Sequence, residues 1–229
     1  MTIIRVFTRF YSGSRIRRVM RRPIELSPKK LPTQSRSRAT YSAILQAAAR
    51  ILEQRGYEAL TTNHVAAEAG VGIASLYEYF PNKQSIVAAV VTTTVEGVLT
   101  DIETALEQAL SEPPESGLAT WISAMFAAMD KRRALAKTLL REVPFLYDIP
   151  TVRAVRRRLL GLAARGHALR PARALSLKRL EALTYVLPLM VSSAVVESVI
   201  RPPKGIARRD IENALVEVLR PLFEPDSRS

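Results

Sequence analysis

The stretch TTNHVAAEAGVGIASLYEYFPNK, residues 61–83, decides how the rest of the chain is read. It holds two short segments of apolar periodicity separated by Gly70, followed by the start of a third. Ala66 is small enough for a second helix to cross close by, and Gly70 accepts the left-handed backbone that ends a helix. Val65, Ala69, Val71 and Leu76 form the apolar set that would clamp the pair. A hydroxyl from Thr61 or Thr62 can cap the first helix. Pro81 and Asn82 stop the second, with Asn82 as N-cap of the next. This is the pattern of a helix-turn-helix, a unit that lays its second helix in the major groove of DNA.

The segments on either side supply what such a unit packs against. Ile44, Leu45, Ala48, Ile51 and Leu52 share one face of a helix that starts near Arg38 and is closed by Gly56. Tyr57 and Leu60 then dock the connection into the same small core. After Asn82, an apolar stripe through Ile86, Val87, Val90, Val91, Val98, Leu99, Ile102, Leu106 and Leu110 predicts a helix roughly 40 Å long. That is enough to tie the first three helices to a second domain. SEPPESG at 111–117 breaks it. From there the chain reads as helical, over about 118–131, 132–142, 151–165, 174–200 (with Pro188 inside) and 207–222. No strand alternation and no internal repeat is present.

Composition narrows the function classes. Of the 229 residues 48% are hydrophobic, enough for a real core, and the absence of cysteine excludes a disulfide framework, a thiol nucleophile and a thiolate zinc site. The apolar run at 185–196 contains Pro188, Ser192 and Ser193 and is expected to fall short of a membrane span. No secretory signal pattern is recognised, so the expected location is cytoplasmic, with no membrane partner. Phosphate-loop, GxSxG and HExxH motifs are missing, and no paired carboxylates sit in a cleft-like context, which argues against an enzyme. His64 reads as a surface or backbone-bonded residue. His167 has no second ligand nearby, so neither a metal nor a cofactor is expected.

The net charge of +13 is unevenly placed. Residues 1–38 hold eleven of the 34 Lys and Arg side chains against Glu25 alone. The residues before 36 read as a disordered arm, broken by Pro23, Pro28 and Pro32, or as a leader from an upstream start, with Met20 opening a plausible shorter chain. An Arg- and Ser-rich, acid-poor leader is also the composition of an organelle transit peptide. Such an arm can instead contact phosphates or a minor groove beside a DNA-binding unit. The basic helix at 151–165, with Arg153, Arg156, Arg157, Arg158 and Arg165, is expected to be solvated, with DNA or an anionic ligand as the other reading. A competing reading of the whole protein is a basic helical chain that binds RNA or anionic membrane surfaces through its N-terminal arm.

The run 44–83 resembles the DNA-binding domain of the TetR family of transcriptional regulators. The matching residues are Ala47 and Ala48, Gly56, Thr61 and Thr62, Val65 and Ala66, Ala69 to Val71, SLYEYF from Ser75 to Phe80, and Asn82 with Lys83. The resemblance covers about one fifth of the chain and rests on several spaced constraints at once. It implies an all-α protein: a basic extension over 1–37, a three-helix DNA-binding domain over 38–83 and a helical ligand-binding and dimerisation domain over 84–229. It places phosphate or base contacts on Thr62, Asn63, Gly72, Ile73, Ala74, Ser75, Tyr77, Tyr79 and Lys83. The sequence departs from the family's habit here, because no Arg, Lys, Gln or Asn lies between Gly70 and Tyr79. Base readout would then rest on thymine-methyl contacts from Ile73 or Ala74, on Ser75, on DNA shape, or on the arm.

Two further expectations concern the second domain. Trp121, Met125, Phe126, Met129, Phe145, Tyr147 and Tyr185 supply candidate lining for a small apolar or aromatic effector, though a Met and aromatic stripe is also what a plain core looks like. The last two helices are strongly apolar, with small residues for close approach. The resemblance makes them a four-helix dimer interface through Ser192, Ser193, Val196, Ile211, Leu215 and Leu219. A two-fold dimer would read a pseudo-palindromic double-stranded operator.

Overall fold

The structure, a computed structural model, describes residues 24–169 and 177–222. The basic residues before Ile24 and the His167 side chain lie outside the described residues. Those described are helical, with turns and no strand. The first helix, α1, spans Ser35–Ala59. It begins ahead of the expected Arg38 because the Ser37 hydroxyl accepts the Gln34 N–H at 3.2 Å and donates to the Gln34 carbonyl at 2.8 Å. Gly56, at φ +80° and ψ 178°, breaks the helix one turn before its end. Helices α2 (Thr62–Ala69) and α3 (Ile73–Tyr79) follow. The Thr61 hydroxyl accepts the His64 N–H at 3.2 Å, and Gly70 closes α2 at φ +65°. Both local signals behave as their chemistry demands.

The N-terminal core is one continuous apolar cluster. Ile44, Ala48, Ile51 and Leu52 of α1 meet Val65, Leu76 and Phe80, all buried. The cluster runs on into Ile86, Val87, Val90 and Val91 of α4 (Lys83–Ser111), which the Asn82 side chain caps by accepting the Ser85 N–H at 2.7 Å. After α4 come α5 (Pro114–Asp130), α6 (Arg133–Glu142), a 3-10 turn (Leu146–Asp148), α7 (Pro150–Leu169), α8 (Leu177–Ile200) and α9 (Arg208–Leu219). Helix α4 packs on α1, α5 and α7, so one element touches both halves of the protein. Helix α6 returns to pack on α1. A second core gathers Ile102 of α4, Ile122, Met125 and Phe126 of α5, Val191, Val195 and Val199 of α8, and Leu215 and Leu219 of α9.

Two expectations change here. By length and composition alone, α4 and the part of α8 over Glu181–Ile200 do reach the threshold of a membrane span, so the apolar run at 185–196 does not fall short on that test. Helix α4 places its apolar residues in the two cores described above, as the central helix of a globular protein does. The basic face of α7 is solvated only in part, with Arg153 and Arg157 exposed. Arg158 pairs with Glu96, and Arg165 reaches Glu103 at 3.4 Å and Glu107 at 3.0 Å, so the arginines zip α7 onto the acidic flank of α4.

Another joint ties α4 to the start of α6. The Arg132 guanidinium lies 2.8 Å from the Asp101 carboxylate and the Lys131 ammonium 3.3 Å away, holding the Asp101 carboxyl below its ordinary value of 3.8, chiefly through the Arg132 hydrogen bond. A depressed carboxylate contributes stability in full above that ordinary value and loses it as pH falls through the lower folded value. Asp101→Asn is therefore expected to flatten the acid limb of a stability-versus-pH curve below about pH 4. Denaturant midpoints measured across that range check it, and parallel acid limbs for the two proteins would sink it.

Candidate nucleic-acid interface

The exposed side of the helix-turn-helix is small, polar and aromatic. Gly72, Ile73, Ala74 and Tyr77 are exposed on or beside α3, Asn63 is exposed on α2, and Thr62 and Ser75 are half-buried. The Tyr77 hydroxyl lies 3.1 Å from the Thr62 hydroxyl, which couples α3 to the first turn of α2. Two groups that the sequence offers as separate phosphate contacts are thus one hydrogen-bonded unit. His64 bonds the backbone carbonyl of Ala59 through Nδ1 at 3.1 Å, the structural role expected of it.

Two expected contacts sit elsewhere. Tyr79 is only 6% exposed, packed edge-on against Tyr41 at 5.8 Å, so its ring belongs to the core under α3. Tyr77 and Tyr79 are two residues apart on a helix of 3.6 residues per turn, which points them to nearly opposite sides. Lys83 also turns inward. Its ammonium donates to the Tyr57 carbonyl at 2.9 Å and sits 4.1 Å from the centre of the Tyr57 ring.

The segment before α1 supplies cations that the expected boundary at 37 assigns to a disordered extension. The Lys29 N–H donates to the Tyr79 carbonyl at 2.7 Å and its ammonium to the Tyr77 carbonyl at 2.9 Å. The Asn82 amide reaches the Glu25 carbonyl at 3.1 Å, and Leu26 packs on the N-terminal core. Residues 25–30 are therefore docked along the C-terminal end of α3. The Lys30 ammonium, 2.8 Å from the Glu78 carboxylate, holds that carboxyl below its ordinary range through their hydrogen bond. Glu78 is the one carboxylate on α3, and a phosphate approaching this face meets it already paired. Local sequence pattern carries no signal for this pairing, since the partners are 48 residues apart.

Residues 44–90 match the family model described as bacterial regulatory proteins, tetR family. The chain carries a TetR-family DNA-binding domain. Solved structures share the fold beyond it. One is a protein from Mesorhizobium loti assigned to the TetR-family transcriptional regulators, 17% identical, covering 82% of this chain and 96% of its own, with a TM-score of 0.63. The TetR-family repressor AlkX from Dietzia sp., implicated in biodegradation of n-alkanes, is 18% identical over 79% of this chain and 96% of its own, with a TM-score of 0.54. The transcriptional regulator FadR from Bacillus subtilis, solved with stearoyl-CoA, is 19% identical over 78% and 97%, with a TM-score of 0.57. No curated protein matches the chain in a comparison of sequences.

Beyond the TetR-family domain, the residues expected to line one effector pocket are divided between the two cores. Phe145 and Tyr147 pack with the N-terminal cluster, Phe145 edge-on to Tyr57 at 6.0 Å. Trp121, Met125, Phe126 and Met129 belong to the second cluster, where the Trp121 indole N–H donates to the Ile102 carbonyl at 3.1 Å. Tyr185 is 40% exposed and lies under the Arg156 guanidinium at 3.9 Å. The expected dimer residues divide too. Leu215 and Leu219 are buried within the protomer, Ser192, Val196 and Ile211 are half-buried, and Ser193 is exposed. Val186 and Val218 on these helices face outward, at 51% and 59% exposure.

Proposed function

We propose that the protein is a cytoplasmic, homodimeric transcriptional repressor that binds a pseudo-palindromic operator and is released by a small apolar effector. The observation that carries the reading is the Thr62–Tyr77 hydroxyl pair on the exposed face of a TetR-type helix-turn-helix, beside Asn63, Ile73, Ala74 and Ser75. Hydroxyls at this position donate to phosphate oxygens and set the register of α3 in the groove. The base-facing groups, Gly72, Ile73 and Ala74, favour apolar contact with thymine methyls over bidentate hydrogen bonding. The docked Lys29 and Lys30 start the basic arm at the edge of this face, which supports a phosphate or minor-groove role for the residues before them. The dimer is assigned to the outward sides of α8 and α9, through Val186, Ser193 and Val218 with Ser192, Val196 and Ile211 at the margins. An effector of fatty-acyl or alkane character is supported by the apolar second core and by what AlkX and FadR are described as handling.

Selection of random duplexes by the purified protein tests this. Enrichment of a two-fold symmetric sequence is expected, with affinity falling steeply as salt rises. On the selected duplex, Thr62→Ala and Tyr77→Phe are each expected to weaken binding about fivefold to tenfold, the effect of losing a hydrogen bond worth roughly 1 kcal/mol. Thermal unfolding should shift little for either. Failure to enrich any duplex sequence would defeat the reading, and so would retention of full RNA or anionic-vesicle binding that depends only on residues 1–23.

A further inference from the structure

One cleft lies neither in the groove-facing surface nor among the apolar lining of the second domain. It has a volume of about 900 Å³ and runs between the end of α1 and helix α6. Its walls carry six cationic side chains, Arg55, Lys131, Arg132, Arg133, Lys137 and Arg141, and three carboxylates. Much of that charge is already committed. Lys131 and Arg132 share Asp101, Asp130 pairs with Arg208, and the Glu142 carboxylate accepts the Tyr57 N–H at 2.8 Å. Arg55, Arg133, Lys137 and Arg141 have no ion pair among the described residues and face Glu53 as the one uncommitted carboxylate.

The placement of these four is informative. Arg133, Lys137 and Arg141 follow one another at four-residue spacing, so they stack along a single face of α6 over roughly 12 Å. Like charges at this spacing destabilise a helix by a few tenths of a kcal/mol per pair. Arg55 stands on the opposite wall, contributed by the DNA-binding domain. A row of cations with an arginine facing it matches a run of phosphates, since guanidinium groups grip phosphate oxygens in pairs and lysine supplies a point charge. We propose that this cleft binds a soluble small molecule bearing two or more linked phosphate groups. The ligand bridges α1 to α6 and so joins the DNA-binding domain to the second domain at a site separate from the apolar effector core.

The test is calorimetric titration of the full chain with inorganic pyrophosphate at physiological salt. Saturable binding at one site per chain is expected. Lys137→Glu with Arg141→Glu should weaken it at least tenfold, and Arg55→Gln alone, on the other wall, at least threefold. Arg157→Glu with Lys204→Glu, the same charge change on exposed residues that do not line the cleft, should alter it less than twofold. Circular dichroism confirms folding. If the double charge reversal does not fold, Lys137→Met with Arg141→Gln carries the same expectation. Absence of saturable binding overturns the proposal. Equal losses in the cleft and control variants overturn it too, as diffuse attraction to a basic chain. The proposal also falls if the cleft variants reduce the salt slope of duplex binding while no pyrophosphate site exists, because the patch is then a DNA-backbone contact.

Discussion

Phe80→Ala is expected to lower the unfolding free energy by about 3–5 kcal/mol and to abolish operator binding at concentrations where the parent saturates. Phe80 is fully buried at the end of α3 and stacks on Tyr41 of α1, ring centres 5.0 Å apart. Its N–H closes the helix on the Leu76 carbonyl at 3.0 Å. Helix α3 has only seven residues and cannot be stable by itself, so its position depends on the side chains it buries: Leu76, Tyr79 and the adjoining Phe80. Removing Phe80, the largest of these that is fully buried, leaves a cavity that α1 and α4 can close only in part. A small protein has roughly 5–15 kcal/mol in hand, so the loss takes a large fraction of it. Urea titrations should show a lower midpoint at unchanged slope. Phe80→Leu keeps most of the volume and should fall by less than half as much. A loss below about 1.5 kcal/mol for Phe80→Ala would mean that the N-terminal core is not packed as described.

What the sequence made legible follows the range of the interactions involved. Thr61, Gly70 and Asn82 act on backbone groups within three or four residues, so their capping roles can be read directly from residue type and spacing. The apolar stripes of α1 and α4 are equally local, and with them the all-α architecture. The family resemblance assigns the interface to α2 and α3. It did not sort the two tyrosines of α3, although their two-residue spacing already required one to face inward. The inward turn of Lys83 was not legible, because its acceptor is the Tyr57 carbonyl, 26 residues earlier. Nor was the division of the aromatic residues between two cores, which depends on how α6 returns to α1. Likewise Leu215 and Leu219 carry an apolar period that says a face is buried but not whether the partner is this protomer or another. The cationic cleft combines both kinds of information: the α6 row is periodic in sequence, while Arg55 opposite it is brought there only by the fold.

Gly56 shows how one residue can serve both ranges, and its replacement carries the second large expected effect. The sequence marks it as the end of the first helix, and its backbone does break the helix there, but at φ +80° and ψ 178°, a region that only glycine occupies without strain. Forcing an alanine into it costs about 1–3 kcal/mol. A Cβ at this position would also lie 2.6 Å from Glu142 Oε2. That oxygen can swing away, but it is the acceptor of the Tyr57 N–H, so the move exchanges a clash for an unsatisfied, partly buried donor costing about 1–3 kcal/mol. The Tyr57 peptide is held from both sides, its N–H by Glu142 of α6 and its carbonyl by Lys83 of α4, while its ring meets Phe145. Gly56→Ala is therefore expected to cost about 2–5 kcal/mol in total. Glu142→Ala, which removes only the hydrogen bond, should cost about 1–2 kcal/mol. In the double variant the clash is gone and the backbone strain remains, so the two losses should be less than additive by about 1 kcal/mol or more. Denaturant unfolding of the four proteins measures this directly. Strict additivity would show that Glu142 does not act through the Gly56–Tyr57 peptide, and that α6 is joined to α1 by apolar packing alone.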